Sequence, residues 1–115
     1  MNKRFRVIVT EGIFSMEGDI APLPEIMKLC KQYNAVIFLD EAHSAGVLGE
    51  RGRGCPDYWN IEPKDVDFIS GTFSKSFGGT TGGYITGKAN SILILRTSAR
   101  PFVFSHGVVP VIAKT

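Results

Sequence analysis

The order of apolar and polar positions predicts a parallel β–α–β unit in the first forty residues or so. Residues 6–10 form a short β-branched run, which is typical of a buried strand. Residues 24–33 carry apolar side chains at helical spacing, and Asn34 suits the left-handed end of a helix. Residues 35–39 are a continuous apolar run that predicts a second buried strand. Two strands joined through a helix pair in parallel, so this part of the chain predicts a parallel sheet.

The remaining residues are predicted to extend the sheet and to add one more helix. The elements are an irregular glycine-rich segment (44–60), a third strand (66–70), a fourth short strand (83–87), a helix (89–98), a short extended piece (101–104) and a last apolar strand (108–113). The expected fold class is therefore α/β, with a mostly parallel sheet flanked by helices.

Three of the predicted strands end in polar, potentially reactive clusters. These clusters are residues 11–15, 40–43 and 72–76. In open parallel sheets, ligands bind in the crevice outside the carboxyl ends of the strands. We therefore expect the three clusters to converge on one edge of the sheet and to form a site there.

Composition narrows the classes of protein. The chain has 115 residues, of which 43% are hydrophobic and 21% charged, so a packed domain is favoured over disorder. The formal net charge of +2 is not concentrated anywhere, so no nucleic-acid partner is expected. No apolar run approaches the ~20 residues that span a bilayer, and no secretory signal is evident. With two cysteines and no CxxC motif, neither a disulfide framework nor a zinc site is expected, and the predicted location is the cytoplasm.

The second cluster pairs a carboxylate with an imidazole. Asp40 follows the apolar strand directly, and His43 stands three residues later, so both can be aimed at one ligand. Asp40 alone is equally compatible with a carboxylate that caps a turn, and a single histidine is more often structural than catalytic. A metal site with two histidines lacks support, because the only other histidine is His106.

The third cluster combines two hydroxyls with a lysine. Thr72 and Ser74 precede Lys75, and Gly71, Gly78 and Gly79 flank them. An isolated lysine in a loop is usually solvated. Hydroxyls and glycine amides, however, bind phosphate, and an amine in semi-apolar surroundings can attack a carbonyl. Pyridoxal 5'-phosphate needs a phosphate site, a lysine for its aldehyde and a carboxylate for its ring nitrogen, which Asp40 can supply.

A competing phosphate motif, the nucleotide-binding P-loop, is excluded at residues 82–88. Gly82, Gly87 and Lys88 have the G-x-x-x-x-G-K spacing, but Ala89 follows where a magnesium-binding Ser or Thr is required. Residues 84–86 also favour a strand where the P-loop needs a tight turn.

Four strings in the sequence closely resemble the α-oxoamine synthases. They are, in chain order, residues 11–19 (EGIFSMEGD), 39–44 (LDEAHS), 49–54 (GERGRG) and 71–78 (GTFSKSFG). This pyridoxal-phosphate-dependent family has the aspartate-aminotransferase-like fold and includes serine palmitoyltransferase, 8-amino-7-oxononanoate synthase and 2-amino-3-ketobutyrate CoA ligase. The strings look most similar to the serine palmitoyltransferase branch. The resemblance implies that residues 1–115 are the central part of a large cofactor-binding domain.

The resemblance also implies a role for each matching residue. Lys75 matches the lysine that holds the cofactor covalently and moves protons at the substrate α-carbon. Asp40 matches the carboxylate that keeps the pyridine nitrogen protonated, and His43 matches the imidazole that hydrogen-bonds the phenolic oxygen. The other matching positions are the hydroxyls near the phosphate and a serine close to the ring: Thr72, Ser74 and Ser15.

The implied reaction condenses an amino acid with an acyl-CoA and releases CoA and usually carbon dioxide. The resemblance further implies a homodimer. The nearest alternatives are an aminotransferase of the same fold and a truncated chain without turnover. Lys75 argues against a degenerate regulatory subunit, because loss of this lysine would be the mark of one, whereas the family residues expected outside these 115 positions favour a truncated chain.

The family supplies a stacking aromatic residue and a substrate arginine from outside these 115 residues. His106 occupies a position where the family usually has a small hydroxylic residue, so that phosphate role is not assigned to it. We therefore expect the 115 residues alone to be marginally folded or to associate, and to lack turnover.

Overall fold

A four-stranded sheet with its strands in chain order forms the centre of the computed structural model, which describes residues 5–79, 81–105 and 107–114. The strands are β1 (Val7–Glu11), β2 (Val36–Asp40), β3 (Phe68–Thr72) and β4 (Gly83–Gly87). β1, β2 and β3 run parallel, and β4 is antiparallel to β3. The predicted parallel unit and the mostly parallel α/β sheet are therefore confirmed.

Five helices and one 3-10 turn accompany the sheet in the described part of the chain. They are α1 (Leu23–Tyr33), α2 (Cys55–Tyr58), α3 (Ala89–Ser98), α4 (Arg100–Val103), α5 (Pro110–Ala113) and the turn Pro63–Asp65. α1 and α3 lie where the sequence predicted them, and Asn34 ends α1 with φ 48° and ψ 52°, as expected. None of the helices formed by the described residues has the length and apolar character needed to cross a membrane.

The core lies between α1 and one face of the sheet. Ile37 and Leu39 of β2 point to this face and are 2% and 0% exposed. Leu23 and Cys30 of α1 pack against them. This arrangement explains why the sequence predicted α1 and β2 correctly. The helical spacing of α1 and the apolar run of β2 both follow from burial against a single core.

β1 was expected to be a buried strand, and that prediction was wrong in part. The strand is present, but Val7 and Val9 are 47% and 71% exposed, and only Ile8 packs against the core. Side chains alternate between the faces of a strand, and α1 covers one face only. A β-branched run alone does not distinguish a strand buried on both faces from one buried on a single face.

Two further predictions fail near the end of the chain. Residues 101–104 were expected to be extended, yet α4 includes Pro101. The stretch 108–113 was expected to be a strand, yet Pro110 begins α5. Proline is tolerated in the first turn of a helix because the N–H that it lacks has no partner there anyway.

We predict that a buried leucine of α1 stabilises the fold far more than an exposed one. Leu23 is 0% exposed and Leu29 is 46% exposed, so the same Leu→Ala change can be compared on one helix. Leu23→Ala should lower the free energy of unfolding by about 2–5 kcal/mol through lost burial and the cavity left behind. Leu29→Ala should lower it by less than half as much. Denaturant titration of the complete protein measures both, and equal losses would contradict the assigned core.

Candidate active site

The carboxyl ends of β1 and β2 are level with each other, and β3 extends two residues further at the same edge of the sheet. Glu11 is in register with Asp40, and Asp40 is in register with Ser70. Just beyond the strands, Gly12 N donates to Asp40 O at 2.8 Å, and Glu41 N donates to Ser70 O at 2.8 Å. The segment after β1 therefore leaves the sheet beside the end of β2, and the segment after β2 leaves it beside β3. The strand ends lie at one edge of the sheet as expected, and the formation of one site by all three clusters stays a prediction.

The second and third clusters meet through two side chains. Lys75 Nζ lies 2.7 Å from His43 Nε2, across 32 positions of the sequence. His43 is half-buried, and Lys75 is exposed. The structure thus places the amine and the imidazole in direct hydrogen-bond contact, so a proton can pass between them without an intervening group.

A tight turn after β2 fixes the position of His43. Asp40 Oδ1 accepts a hydrogen bond from Ala42 N at 2.8 Å, and the carbonyl of Glu41 accepts from Ser44 N and Ala45 N at 3.1 and 2.9 Å. The carboxylate of Asp40 thus caps the turn, as one of the two sequence interpretations expected. One of its oxygens performs this cap, which is compatible with a ligand role for the other.

The two hydroxyls of the third cluster pair with each other. Thr72 Oγ1 and Ser74 Oγ are 2.7 Å apart, and Thr72 Oγ1 also donates to Gly82 O at 3.1 Å. The amide of Ser74 donates back to Thr72 Oγ1 at 3.2 Å. This network places both hydroxyls immediately before Lys75, at the end of β3. Residues 84–86 lie in β4, so the strand expected in place of a P-loop turn is confirmed.

A second contact joins the loop of Lys75 to the turn of His43. Ser76 Oγ donates to Ala45 O. The approach requires glycine at position 46, because a Cβ there would lie 2.7 Å from Ser76 Oγ and the backbone has φ +81°. The hydrogen bond of Ser76 to a backbone carbonyl therefore attaches the loop of Lys75 to the turn of His43. It supports the position of Lys75 beside His43 in addition to the hydrogen bond between their own side chains.

Ser15 lies apart from the other predicted site residues. It is exposed in the turn that follows β1, between the paired residues Ile13 and Ile20. Within the described ranges, no hydrogen bond links its side chain to the clusters after β2 and β3. Its assigned place beside a cofactor ring stays a prediction, and His106 lies outside the described residues.

Sequence reasoning missed Glu41, which is 2% exposed beneath the site. Its Oε2 accepts from Ser44 Oγ at 2.7 Å and from Cys55 N at 2.9 Å, while its buried Oε1 has no hydrogen-bond partner among the described residues. Burial raises the pKa of the Glu41 carboxyl, an effect opposed by the two donors. Burial thus shifts the titration of this carboxyl toward higher pH, without removing its two hydrogen-bond donors. The sequence around Glu41 carries no signal that distinguishes a buried carboxyl from a solvated one at the end of a strand.

Sequence reasoning also missed the role of Asp57, which holds the glycine-rich loop. Asp57 accepts hydrogen bonds from Arg51 N, Nε and Nη2 at 2.8, 2.9 and 2.7 Å. The backbone amide and the guanidinium of Arg51 lower the pKa of the Asp57 carboxyl. The Cβ of a residue other than glycine at Gly49 would collide with this carboxylate. The glycine-rich loop is therefore fixed by the hydrogen bonds of Asp57 and is not a flexible linker.

The two cysteines are free and buried. Burial, followed by the nearby Glu41 carboxyl, raises the pKa of the Cys55 thiol to about 12, so this thiol is protonated and unreactive at neutral pH. Across the described ranges, no cluster of three or more metal-ligating side chains is present. The chemistry available at this edge is that of Lys75, His43, Asp40 and the nearby hydroxyls.

We predict that Glu41 makes the stability of the protein fall as the pH rises. A carboxyl with a raised pKa stabilises the folded state fully below its unfolded pKa, ordinarily about 4.3, and this contribution is lost as the pH rises through the folded value. Glu41→Gln stays neutral, so its free energy of unfolding should depend less on pH. Denaturant titrations between acidic and neutral pH measure the difference.

Ser44→Ala should change the pH dependence of stability in the direction opposite to Glu41→Gln. The Ser44 hydroxyl favours the ionised form, so its removal should steepen the loss of stability with rising pH. Parallel profiles for the wild type and Glu41→Gln would show that Glu41 does not titrate in this way.

Comparison with known proteins identifies the family of the chain. The model of the aminotransferase class I and II family matches residues 1–115. The 8-amino-7-oxononanoate synthase of Petrotoga mobilis is 50% identical over 109 residues, which are 95% of this chain and 27% of the relative. Serine palmitoyltransferase 2 of Caenorhabditis elegans is 47% identical over 108 residues, which are 94% and 19% of the two chains.

A solved structure of serine palmitoyltransferase from S. paucimobilis, with a bound PLP–myriocin aldimine, superposes with a TM-score of 0.84 at 38% identity. The match covers 92% of this chain and 27% of that one. The chain thus spans about a quarter of the length of the first curated relatives that it matches. Both relatives carry names of α-oxoamine synthases, which confirms the resemblance, and the identities do not favour the serine palmitoyltransferase branch. With the family model matched along all of its residues, the chain belongs to the aminotransferase class I and II family and has the aminotransferase-like fold.

Proposed function

We propose that residues 1–115 are the central part of the large cofactor-binding domain of a pyridoxal-phosphate-dependent α-oxoamine synthase. The observation that carries the proposal is the contact of Lys75 Nζ with His43 Nε2 at 2.7 Å, at the sheet edge where Asp40 ends β2. The names of the relatives support the class of reaction, and the serine palmitoyltransferase structure holds this cofactor.

The side chains at this edge fit pyridoxal 5'-phosphate by their chemistry. The cofactor offers an aldehyde, a phenolic oxygen, a ring nitrogen and a phosphate, and these need an amine, a hydrogen-bonding imidazole, a carboxylate and several donors. Lys75, His43 and Asp40 supply the first three. The hydroxyls of Thr72 and Ser74, already 2.7 Å apart, can supply donors for the phosphate.

Each residue then has a defined task. Lys75 would hold the cofactor covalently and take a proton from the α-carbon of the amino-acid substrate. Asp40 would keep a proton on the ring nitrogen with the oxygen that does not cap the turn at Ala42. When bound, the cofactor supplies a ring that accepts the electron pair left at the α-carbon. Ser15 would lie near that ring.

The reaction that we propose joins an amino acid to an acyl-CoA and releases CoA and usually carbon dioxide. The chemistry of the site residues accounts for activation of the amino acid. The acyl-CoA and the homodimeric assembly rest on the resemblance to the α-oxoamine synthases, and the cytoplasmic location rests on the two free cysteines.

An aminotransferase is the second candidate, because the matching family model describes aminotransferases of class I and II. Both reactions use the same lysine and carboxylate, so the products distinguish them. Incubation of the complete enzyme with an acyl-CoA and serine, alanine or glycine should release CoA. Formation of a 2-oxo acid from the amino donor, without CoA release, would favour the aminotransferase.

We predict distinct defects for Lys75→Ala and Asp40→Asn in the complete enzyme. Lys75→Ala should abolish the covalent cofactor adduct and lower the rate by roughly 10²-fold or more, because it removes both the attachment point and the proton-transferring group. Asp40→Asn should lower kcat more than cofactor retention, because the phosphate contacts survive. Visible absorbance and CoA release measure the two effects.

Lys88→Ala is the matched control for the lysine change. Lys88 is 75% exposed and lies 3.7 Å from Asp67, away from the residues of the site. It should bind cofactor and turn over like the wild type. An Asp40→Asn enzyme with undiminished kcat would remove Asp40 from its assigned role.

A further inference from the structure

The hydrogen bond between Lys75 and His43 limits the number of protons that the pair can carry. The bond joins Nζ to Nε2 over 2.7 Å. One nitrogen must donate and the other must offer a lone pair, so an ammonium and an imidazolium cannot both be present in this contact. The pair is either an ammonium donating to a neutral imidazole or a neutral amine beside an imidazole N–H. Moving one proton along the bond converts an unreactive ammonium into an amine with a free electron pair.

Hydrogen bonds fix both the turn that carries His43 and the loop that carries Lys75. The turn of His43 is anchored by the hydrogen bonds of Ser44 N and Ala45 N to the carbonyl of Glu41, whose side chain is buried. The loop of Lys75 is attached to the same turn where Ser76 Oγ donates to Ala45 O. The proton-transfer path is therefore built into the scaffold, even though Lys75 itself is exposed.

We propose that His43 is the base that deprotonates Lys75 so that the lysine can capture pyridoxal 5'-phosphate. This inference rests on the proposed function and adds a step to it. The Lys75 ammonium gives a proton to His43 Nε2, and the freed lone pair on Nζ forms a bond to the aldehyde carbon. Nζ would give up two protons to the aldehyde oxygen, one by way of His43 and one directly, and would keep the third, so that the oxygen leaves as water when the carbon–nitrogen double bond forms. No electrons are gained or lost, and the only by-product is water.

The rate of cofactor loading tests the proposal independently of turnover. The complete enzyme is freed of cofactor with hydroxylamine, and uptake of added pyridoxal 5'-phosphate is followed by stopped-flow absorbance. His43→Ala should load about 10²-fold more slowly than the wild type, because a general base typically contributes at least this factor. Its final level of adduct at saturating cofactor should equal that of the wild type. Exogenous imidazole should restore much of the lost rate.

His43→Gln separates proton transfer from orientation. Glutamine keeps a hydrogen-bonding side chain but cannot take up a proton from an ammonium. It should load as slowly as His43→Ala. Loading of His43→Gln at the wild-type rate would overturn the proposal, because His43 would then only orient Lys75. Failure of imidazole to accelerate His43→Ala would also overturn it. Lys88→Ala, an exposed lysine change away from the site, should load at the wild-type rate.

Borohydride reduction followed by peptide mass analysis distinguishes this inference from the proposed function. Cofactor fixed on Lys75 in the wild type, with equal loading rates in all the His43 variants, would overturn only the role of His43 in loading. Absence of cofactor on Lys75 in the wild type would overturn the proposed function, and the inference with it. Circular dichroism of each variant verifies that the compared proteins are folded.

Discussion

One buried carboxyl connects the segments on which the candidate site depends. Glu41 accepts from Ser44 Oγ and from Cys55 N through one oxygen, and its backbone N–H bonds to the carbonyl of Ser70. It therefore ties the turn after β2 to the start of α2 and to β3. Removing the carboxyl would leave buried donors without partners, which costs more than the hydrogen bonds contribute when made. The position of His43 follows from this connection, because His43 lies within the turn that Glu41 anchors.

The same carboxyl determines where the chain must carry glycine. A Cβ at Gly12 would lie 2.7 Å from Glu41 Oε1, and a Cβ at Gly54 would collide with Oε2. Gly54 also has φ +89°, a conformation that other residues rarely adopt. Glycine at these two positions thus has a structural cause, namely close approach of the backbone to a buried side chain. At Gly46 the approaching group is Ser76, and the result is the docking of the Lys75 loop.

Features set by local patterns were predictable, and features set by contacts between distant residues were not. The helix ending at Asn34 and the parallel strands follow from spacing and turn chemistry within about ten residues. Position after a strand also predicted that Lys75 and His43 would converge. Glu41 was not predictable as an anchor, since its partner Cys55 N is fourteen positions away in an irregular segment. Near Pro110 a local pattern gave the wrong element, because an apolar run suggested a strand where proline begins a helical turn.

In the proposed function, the residues at the described edge of the sheet bind the cofactor and activate the amino acid. In that function, Lys75, His43 and Asp40 serve the removal of a proton from an amino-acid α-carbon, a step that transferases of acyl groups and of amino groups share. Specificity between them depends on groups that contact the acyl donor. The loading role inferred for His43 lies upstream of that choice, since it acts before either substrate binds. It should therefore be independent of whether the enzyme condenses amino acids with acyl-CoA or transfers amino groups.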